Sequence, residues 1–331
     1  MNFPIGSTII DRNSKPYLIA EIGLNHNNDL TIGKKTIQAA KACGANAVKF
    51  QTYKTEDFIS QSQADAKFLF DIFKQYELSK EFHLEFQKIA KNEGLDFFST
   101  PLDLHSVDLL LELGVPIFKI ASGDIVNLPL LNKVIQTKLP MLVSTGAALP
   151  EEVERAIRYL EESKQSFAIL HCVSLYPTPI HKANLNSIPY YLDRTNVVVG
   201  FSDHSNGSLA ASIAVGLGAN IIEKHFTLDT SLEGPDHTIS ADPNQMLELR
   251  QKIDEAFSAR GEYGKNVHQE EISGWYYGRR SLYKQGKEIL AMRPALHVRD
   301  KKYLEAWRAN EVNDPSSYEK EGPLFFETKV D

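Results

Sequence analysis

Two histidines end stretches of sequence that are typical of β-strands. His204 closes the run GFSDH and His225 closes the run IIEKH. Alternate side chains of a strand share a face, so Glu223 and His225 are expected to point one way and Lys224 the other. Neutral imidazoles on a rigid scaffold are common ligands of divalent metals. Two histidines alone are more often ordinary hydrogen-bonded residues, so the metal-site hypothesis depends on the elements that position them.

Short apolar runs alternate with amphipathic stretches from residue 17 onward, and this alternation predicts parallel βα units. The predicted strands are Tyr17–Glu21, Ala47–Gln51, Asp96–Thr100, Ile117–Ile120, Met141–Ser144, Phe167–His171, Val197–Ser202 and Ile221–His225. Eight units over about 240 residues match a (β/α)8 TIM barrel, an α/β fold. A doubly wound sheet is the alternative, but no Gly-x-Gly-x-x-Gly follows the first strand.

The segment from Lys54 to Leu78 breaks this rhythm. It lies between the second strand and its helix, and it is rich in aromatic and charged residues. Long loops at the catalytic face of a barrel are often lids. An insertion packed on the outside of the barrel fits the sequence equally well, so both interpretations stay open. The next helix is expected to begin after Ser79 and to end at Gly94.

The sequence divides into three predicted regions. Residues 1–16 are expected to form a cap or hairpin, and residues 17–258 the barrel. From residue 259 to residue 331 the βα spacing is lost, but the aromatic content of this atypical C-terminal extension argues against disorder. We expect the extension to fold against the barrel or against a second subunit.

Composition excludes several classes of function. The chain has 331 residues and a net charge of −7, and a basic surface for nucleic acid or an anionic membrane is not expected from that balance. No apolar run approaches the length of a membrane span, and the N-terminus lacks the pattern of a secretory signal, so a cytoplasmic protein is predicted. Cys43 and Cys172 are too few for a disulfide framework.

Polar side chains stand at or just after the end of almost every predicted strand. Barrel enzymes build their sites at the C-terminal ends of the strands, so these side chains are expected to meet. They are Glu21, Asn25, His26, Lys49, Gln51, Ser99, Thr100, Lys119, Ser122, Ser144, Thr145, His171, Ser174, Tyr176, Ser202, His204, Glu223 and His225. Such joint placement predicts a catalytic or binding site at this end of the barrel.

Part of this set predicts an anion site. Lys119 would be a cation surrounded by the hydroxyl groups of Thr100, Ser122, Ser144 and Ser202. Charged hydrogen bonds of this kind suit a phosphate or a carboxylate.

Another part predicts metal or proton chemistry. His204 and His225 are two candidate nitrogen ligands on adjacent strands. The carboxylates of Glu21, Glu223 and Asp236 can complete a metal shell, orient a ligand or move a proton.

The lysines also allow a rival mechanism. Lys49 supplies a second cation, and either Lys49 or Lys119 can form a Schiff base with a carbonyl substrate when burial lowers the pKa of the amine. The two histidines favour the metal-dependent alternative over such an aldolase or lyase. A third interpretation is a non-catalytic barrel that binds a sugar acid or a partner protein.

Ten motifs, in order over roughly residues 15 to 285, resemble those of the sialic acid (N-acetylneuraminate) synthase family, which includes the legionaminic and pseudaminic acid synthases of bacteria. The motifs are Ala20-Glu21-Ile22-Gly23-x-Asn25-His26, Val48-Lys49-Phe50-Gln51, Ser99-Thr100-Pro101, Phe118-Lys119-Ile120-Ala121-Ser122-Gly123, Ser144-Thr145-Gly146, Leu170-His171-Cys172, Tyr176-Pro177-Thr178-Pro179, Gly200-Phe201-Ser202-Asp203-His204-Ser205, Glu223-Lys224-His225-Phe226-Thr227 and Glu233-Gly234-Pro235-Asp236-His237.

The resemblance implies condensation of phosphoenolpyruvate with the open-chain aldehyde of a 2-acetamido sugar, such as N-acetylmannosamine, to give a nonulosonic 2-keto acid and phosphate. It implies a divalent metal on His204 and His225, with Mn²⁺ expected and Mg²⁺ or Co²⁺ as alternatives, and a homodimer. The catalytic residues would be Glu21, Lys49, Lys119 and Glu223. The phosphoenolpyruvate site would comprise Lys49, Thr100, Lys119, Ser122, Ser144, Ser174 and Ser202, and the sugar site Glu21, Gln51, Tyr176 and Asp236.

Two features depart from the family pattern. Ser174 stands where relatives generally have Asn, which shortens a polar side chain expected to contact phosphate or acceptor. After Arg279-Arg280-Ser281-Leu282, residues 283–331 are shorter than the antifreeze-like domain of the family and lack its Lys-Gly-Glu and Arg-Pro-Gly pattern. The sequence therefore leaves the acceptor sugar and the mode of assembly open.

Overall fold

The computed structural model describes residues 2–262, 264–285 and 288–293. The chain divides into two compact units, Met1–Gly261 and Glu262–Asp331. In the second unit the described residues form the helix Gln269–Gly278 and an antiparallel pair of strands, Ser281–Gln285 and Glu288–Met292. Residues 294–331, the greater part of the predicted C-terminal extension, lie outside the described residues.

The first unit contains a closed parallel barrel, which confirms the predicted (β/α)8 fold. Its strands, numbered in chain order after the N-terminal pair β1 (Phe3–Ile5) and β2 (Thr8–Ile10), are β3 (Tyr17–Gly23), β4 (Ala47–Thr52), β5 (Asp96–Pro101), β6 (Phe118–Ile120), β7 (Met141–Ser144), β8 (Phe167–Cys172), β9 (Val199–Asp203) and β10 (Ile221–His225). They pair in sequence order, and β10 closes the barrel against β3. Each strand lies where the apolar runs predicted it.

Helices alternate with the strands along the chain. They are α1 (Leu30–Ala42), α2 (Thr55–Phe58), α3 (Lys67–Tyr76), α4 (Lys80–Asn92), α5 (Leu104–Glu112), α6 (Leu128–Thr137), α7 (Pro150–Glu162), α8 (Ser187–Arg194), α9 (Leu209–Gly216) and α10 (Pro243–Arg260). The hydroxyl of Ser79 accepts from the backbone N–H of Phe82, so α4 begins at the predicted cap. None of the helices in the described part of the chain has the length and apolarity that crossing a bilayer requires.

The core lies between the barrel wall and the helices. Every residue of β3, β7, β8 and β9 is buried, as expected for strands covered on both faces. The ring of Phe50 on β4 stacks on Phe86 of α4 with centroids 5.1 Å apart. A side chain at Gly33 would overlap the Phe86 ring, so this glycine lets α1 pack closely against α4.

An N-terminal hairpin lies at the end of the barrel where the strands begin. Phe3, Ile5 and Ile10 are buried in the core, and Gly6 makes the turn with a φ of 55°. A side chain at Gly6 would overlap the carboxylate of Asp96, the first residue of β5.

The segment between Lys54 and Leu78 is largely helical and packs at the opposite end of the barrel. Tyr53 and Tyr76 form a small buried cluster that also contains Leu24, with Phe58 and Phe73 packed against it. The Tyr53 hydroxyl donates to the backbone carbonyl of Phe73 over 2.9 Å. Phe58 and Phe73 also line the cavity described next, so the segment covers part of the predicted catalytic face.

Candidate active site

A cavity of about 370 Å³ opens at the end of the barrel where the strands finish. Its polar lining comprises Glu21, Lys49, Gln51, Thr100, Lys119, Ser122, Ser144, Ser174, Tyr176, Ser202, His204, Glu223 and His225. Asp236 lies beside it, with Oδ2 3.9 Å from Nδ1 of His225. The structure therefore brings together all the residues that the sequence singled out for catalysis, anion binding, sugar binding and metal ligation.

Strand register explains which of these side chains meet. Glu21 on β3 is the register partner of Lys49 on β4, so their side chains project side by side into the barrel. Glu223 on β10 is likewise the partner of Ser202 on β9. The Ser202 hydroxyl donates to Oε1 of Glu223 over 2.9 Å.

Two lysines and two glutamates form a buried ionic cluster in the cavity. Nζ of Lys49 lies 2.7 Å from Oε2 of Glu21 and 3.7 Å from Oε2 of Glu223, and it donates to the Thr100 hydroxyl over 3.0 Å. Nζ of Lys119 lies 3.9 Å from Oε1 of Glu223. All four ionisable side chains are at most 7% exposed, so each depends on the others to compensate for lost hydration.

The pKa values of the two carboxyl groups move in opposite directions. Burial raises the pKa of Glu21, and the nearby Lys49 only partly opposes this effect. Burial acts on Glu223 too, but Lys119 and Lys49 together outweigh it and lower the pKa of Glu223. Glu21 is therefore suited to hold and release a proton near neutral pH, while Glu223 stays ionised.

The two lysines differ in the same way. Burial lowers the pKa of Lys119. Burial also acts on Lys49, but Glu21 and Glu223 outweigh it, and the net effect raises the pKa of Lys49.

Lys119 also makes hydrogen bonds to uncharged groups of the cavity wall. Nζ of Lys119 donates to Oγ of Ser144 over 2.6 Å and to the carbonyl of Ile120 over 2.9 Å. A methyl group at Gly146 would lie 2.8 Å from Oγ of Ser122 and would overlap Oγ of Ser174, so the glycine keeps this part of the cavity open. We call Lys49, Thr100, Lys119, Ser122, Ser144, Ser174 and Ser202 the anion pocket; its charge and donors suit a phosphate or carboxylate.

The imidazoles of His204 and His225 lie side by side with centroids 5.5 Å apart. Nδ1 of His204 is 3.0 Å from the carbonyl of Val173, and because a carbonyl only accepts, the proton is on Nδ1 and Nε2 has the free lone pair. Nδ1 of His225 is buried without a hydrogen bond. A buried nitrogen in this state calls for a ligand or an ordered water. Two neighbouring imidazoles, one of them held in a fixed tautomer, fit a divalent metal.

Gln51 and Asp236 lie close to Glu21, and Tyr176 lies beside the two histidines. Nε2 of Gln51 donates to Oε1 of Glu21 over 3.4 Å. A methyl group at Gly23, where φ is 53°, would lie 3.1 Å from Oδ2 of Asp236 and 3.2 Å from Oε1 of Glu21. The ring of Tyr176 lies 4.2 Å from the His204 ring, and burial raises the pKa of its hydroxyl to about 12. This wall therefore offers an amide, two carboxylates and a phenol to a polyhydroxylated ligand.

Some polar residues near the strand ends lie elsewhere, contrary to the prediction for the set. His171 points to the helix layer, where Nε2 donates to the carbonyl of Ala183 over 2.8 Å. It lines a separate cavity of about 510 Å³ between β8 and helices α7 and α8, whose lining is mostly uncharged. Asn25 donates to the carbonyl of Phe226, and His26 packs between aromatic rings behind the barrel wall.

A second group of potential metal ligands lies outside the cavity. One ligand atom from each of Asp57, Asp103 and His105 falls within 4.8 Å of the others. The carboxylate of Asp103 already caps α5, because it accepts from the backbone N–H and hydroxyl of Ser106 and from the N–H of Lys54. The other two residues are exposed. These contacts account for the cluster as a helix cap.

Sequence reasoning identified Lys224 as an outward-facing residue but did not find its partner. The Lys224 ammonium lies 2.7 Å from Oδ2 of Asp203 on the adjacent strand. Alternation along both strands was the signal available, since it places the two side chains on the same outer face.

Comparison with known proteins agrees with the fold and the motifs. The family model of the NeuB family matches residues 36–265. The chain is 46% identical over 250 residues to an uncharacterized protein of Methanocaldococcus jannaschii, covering 75% of this chain and 73% of that protein. It is 38% identical over 281 residues to the N,N'-diacetyllegionaminic acid synthase of Legionella pneumophila, covering 80% of this chain and 79% of that enzyme. The crystal structure of the N-acetylneuraminic acid (sialic acid) synthetase of Leptospira borgpetersenii superposes with a TM-score of 0.78 at 34% identity, covering 82% of this chain and 94% of that chain.

Proposed function

The chain belongs to the NeuB family, and from this premise we propose that it condenses phosphoenolpyruvate with the open-chain aldehyde of a 2-acetamido sugar. The products are a nonulosonic 2-keto acid and inorganic phosphate. The observation that carries the proposal is a single cavity that combines the anion pocket, two carboxyl groups with opposite pKa shifts and a pair of imidazoles.

The reaction makes distinct demands on the site. C3 of phosphoenolpyruvate forms a bond to the aldehyde carbon, and the aldehyde oxygen takes up a proton. Water adds to C2, and cleavage of the bond between C2 and the bridging oxygen releases phosphate. The site must therefore bind a phosphate and a carboxylate, supply a proton on the acceptor side, and stabilise positive charge that develops at C2.

The anion pocket meets the first demand. Lys119 and Lys49 provide two cations, and Ser144 already accepts a hydrogen bond from Lys119 over 2.6 Å. Bound phosphoenolpyruvate would replace these internal contacts with charged hydrogen bonds to its own oxygens.

The two glutamates are suited to supply the proton on the acceptor side and to stabilise positive charge at C2. Glu21, whose pKa is raised by burial, lies beside Gln51 and Asp236 and would give a proton to the acceptor oxygen. Glu223 stays ionised between the lysines and would stabilise developing positive charge at C2. Two glutamates in one cavity can take these two roles because their surroundings shift their pKa values in opposite directions.

The histidine pair fits a divalent ion, and Mn²⁺ is the one we propose. His204 and His225 would hold it, since Nε2 of the first is free and Nδ1 of the second is buried without a partner. Such an ion would polarise the aldehyde carbonyl as a Lewis acid.

The test is phosphate release from phosphoenolpyruvate with a panel of 2-acetamido hexoses and Mn²⁺. Release is expected only when an acceptor sugar and the metal are both present, and exhaustive EDTA treatment is expected to abolish it. His204→Gln should remove the metal-dependent rate, whereas His105→Gln, in the exposed cluster, should leave it unchanged. Turnover that survives EDTA, or that depends on His105 instead, would contradict the proposal.

One observation favours a second candidate. Burial lowers the pKa of Lys119, as a Schiff-base lysine requires. Borohydride in the presence of pyruvate would then trap a covalent adduct on Lys119. We expect no adduct, because the amine of Lys119 is already held by Ser144 and by the Ile120 carbonyl.

A further inference from the structure

The residues next to the two histidines form an ion pair on the outer side of the barrel wall. Lys224 precedes His225 on β10, and Asp203 precedes His204 at the end of β9; the two are register partners. Nζ of Lys224 lies 2.7 Å from Oδ2 of Asp203, and their side chains are 6% and 0% exposed. This pair therefore joins the two strands one residue before each imidazole.

The contacts continue on the far side of His204. Nζ of Lys224 donates to the carbonyl of Ser205 over 2.6 Å. Oδ1 of Asp203 accepts from the N–H of Ser205 over 2.8 Å and from its hydroxyl over 2.7 Å. The carbonyl of His204 itself accepts from the N–H of Thr178 over 2.9 Å. The backbone of His204 is thus held before, at and after the residue.

Stability alone does not explain a charged pair at this position. Burying two opposite charges costs hydration, and replacing such a pair by apolar residues of similar size is often neutral or stabilising. Two residues earlier on the same outer face, the register partners are Phe201 and Ile222, so a buried apolar pair is sufficient to pack these two strands together there. The charged pair replaces an apolar one only where the two strands reach His204 and His225.

We propose that the ion pair of Lys224 and Asp203 positions His204 and His225, fixing the strand ends so that both imidazoles can bind one divalent ion. This inference rests on the proposed metal site. Neither residue touches the ion; both act through the backbone and through the rings that they hold in place. Polar groups that orient metal ligands in this way commonly change metal affinity 10- to 100-fold when they are removed.

The test uses the double variant Asp203→Leu with Lys224→Met, which removes both charges and keeps apolar volume. Mn²⁺ affinity is measured by the electron paramagnetic resonance signal of free Mn²⁺, and the unfolding temperature is measured separately in EDTA. We expect the metal-free variant to unfold close to the wild-type temperature while its Kd for Mn²⁺ rises 10- to 100-fold. If the pair has only a structural role, its removal should change the unfolding temperature and leave the Kd for Mn²⁺ unchanged.

Tyr17→Phe is the matched control. It removes a buried hydrogen bond of 2.6 Å to Asp96 at the opposite end of the barrel, and it should leave Mn²⁺ affinity unchanged. If the double variant does not fold, Asp203→Asn removes one charge while keeping the shape of the side chain. That variant should also bind Mn²⁺ more weakly.

Wild-type Mn²⁺ affinity in the variant that folds would overturn the inference and leave the proposed function intact. If His204→Gln also binds Mn²⁺ as tightly as the wild type, the metal does not reside on the histidines. The proposed metal site and the inference then fail together.

Discussion

The two ends of the barrel differ in the kind of side chain that they bury. Where the strands begin, the apolar hairpin residues Phe3, Ile5 and Ile10 are buried, and the Tyr17 hydroxyl donates to Asp96. Where the strands finish, two lysines and two glutamates are buried in mutual contact, and an imidazole nitrogen lacks a partner. The first end satisfies its polar groups; the second leaves them available for a ligand.

This contrast separates stability from chemistry within one fold. Apolar burial without unpaired charge stabilises the folded state, whereas the buried ionic cluster costs hydration that its internal contacts only partly restore. Changes at the two ends should therefore separate in their effects on turnover and on unfolding. The following predictions test that separation, starting from the largest effect.

Lys119→Met at the catalytic end should lower kcat/KM about 10³-fold, because it removes a cation from the anion pocket. The unfolding temperature should change little, because relief of the buried Lys119 ammonium, whose pKa burial lowers, offsets the ion contact that Glu223 loses. Steady-state phosphate release and thermal unfolding measure the two effects. Lys133→Met, which alters a lysine paired with Asp108 on the outer helices, is the control and should leave kcat/KM unchanged. Loss of stability with full turnover would reverse the assignment of the two ends.

Ile5→Ala at the opposite end should lower the free energy of unfolding by roughly 3 kcal/mol, because the side chain is fully buried. Ile9→Ala is matched in chemistry, but Ile9 is 55% exposed, so its effect should stay within about 0.5 kcal/mol. Urea titrations compare the variants. For both, kcat measured on folded protein should equal that of the wild type; a large change in kcat would contradict the separation.

The catalytic end should also make the protein sensitive to acid. Burial, with repulsion from His83 and His237, lowers the pKa of His26 to about 3, and its Nδ1 accepts from the N–H of Asn28 over 2.8 Å. The unfolded chain takes up a proton near pH 6.5 and the folded chain does not, so the stability from this group is present above pH 6.5 and is lost as the pH falls.

His26→Asn isolates this contribution, since an Asn side chain can accept the same N–H without titrating. The free energy of unfolding, obtained from urea titrations between pH 7 and pH 5, should fall less steeply with pH for the variant, by up to about 1.4 kcal/mol per pH unit. His105→Asn changes an exposed imidazole and serves as the control. Equal slopes for His26→Asn and wild type would rule out this source of acid sensitivity.

Much of the fold could be predicted because its signals are local. The apolar runs gave all eight barrel strands, and Ser79 marked the start of α4. The position of the site followed from topology, since polar residues at the ends of parallel strands must share one end of the barrel.

The remaining features depend on distant residues. The contact of Glu21 with Lys49 follows from strand register, and the opposite pKa shifts of Glu21 and Glu223 follow from burial and from the lysine beside each carboxyl group. The outward direction of His171 could not be predicted, because β8 is buried along its whole length and shows no alternation. The sequence could not distinguish the lid and insertion interpretations of Lys54–Leu78, because the positions of Phe58 and Phe73 at the cavity depend on tertiary packing.

The ionic cluster of Glu21, Lys49, Lys119 and Glu223 carries no net charge when all four groups are ionised. A ligand with a phosphate and a carboxylate brings negative charge into this balanced cluster, and Glu21, whose pKa burial already raises, is the group placed to take up a proton in response. Binding of the anion is then coupled to the uptake of a proton by the protein. The heat released in a calorimeter should therefore change with the ionisation enthalpy of the buffer, even in the absence of an acceptor sugar.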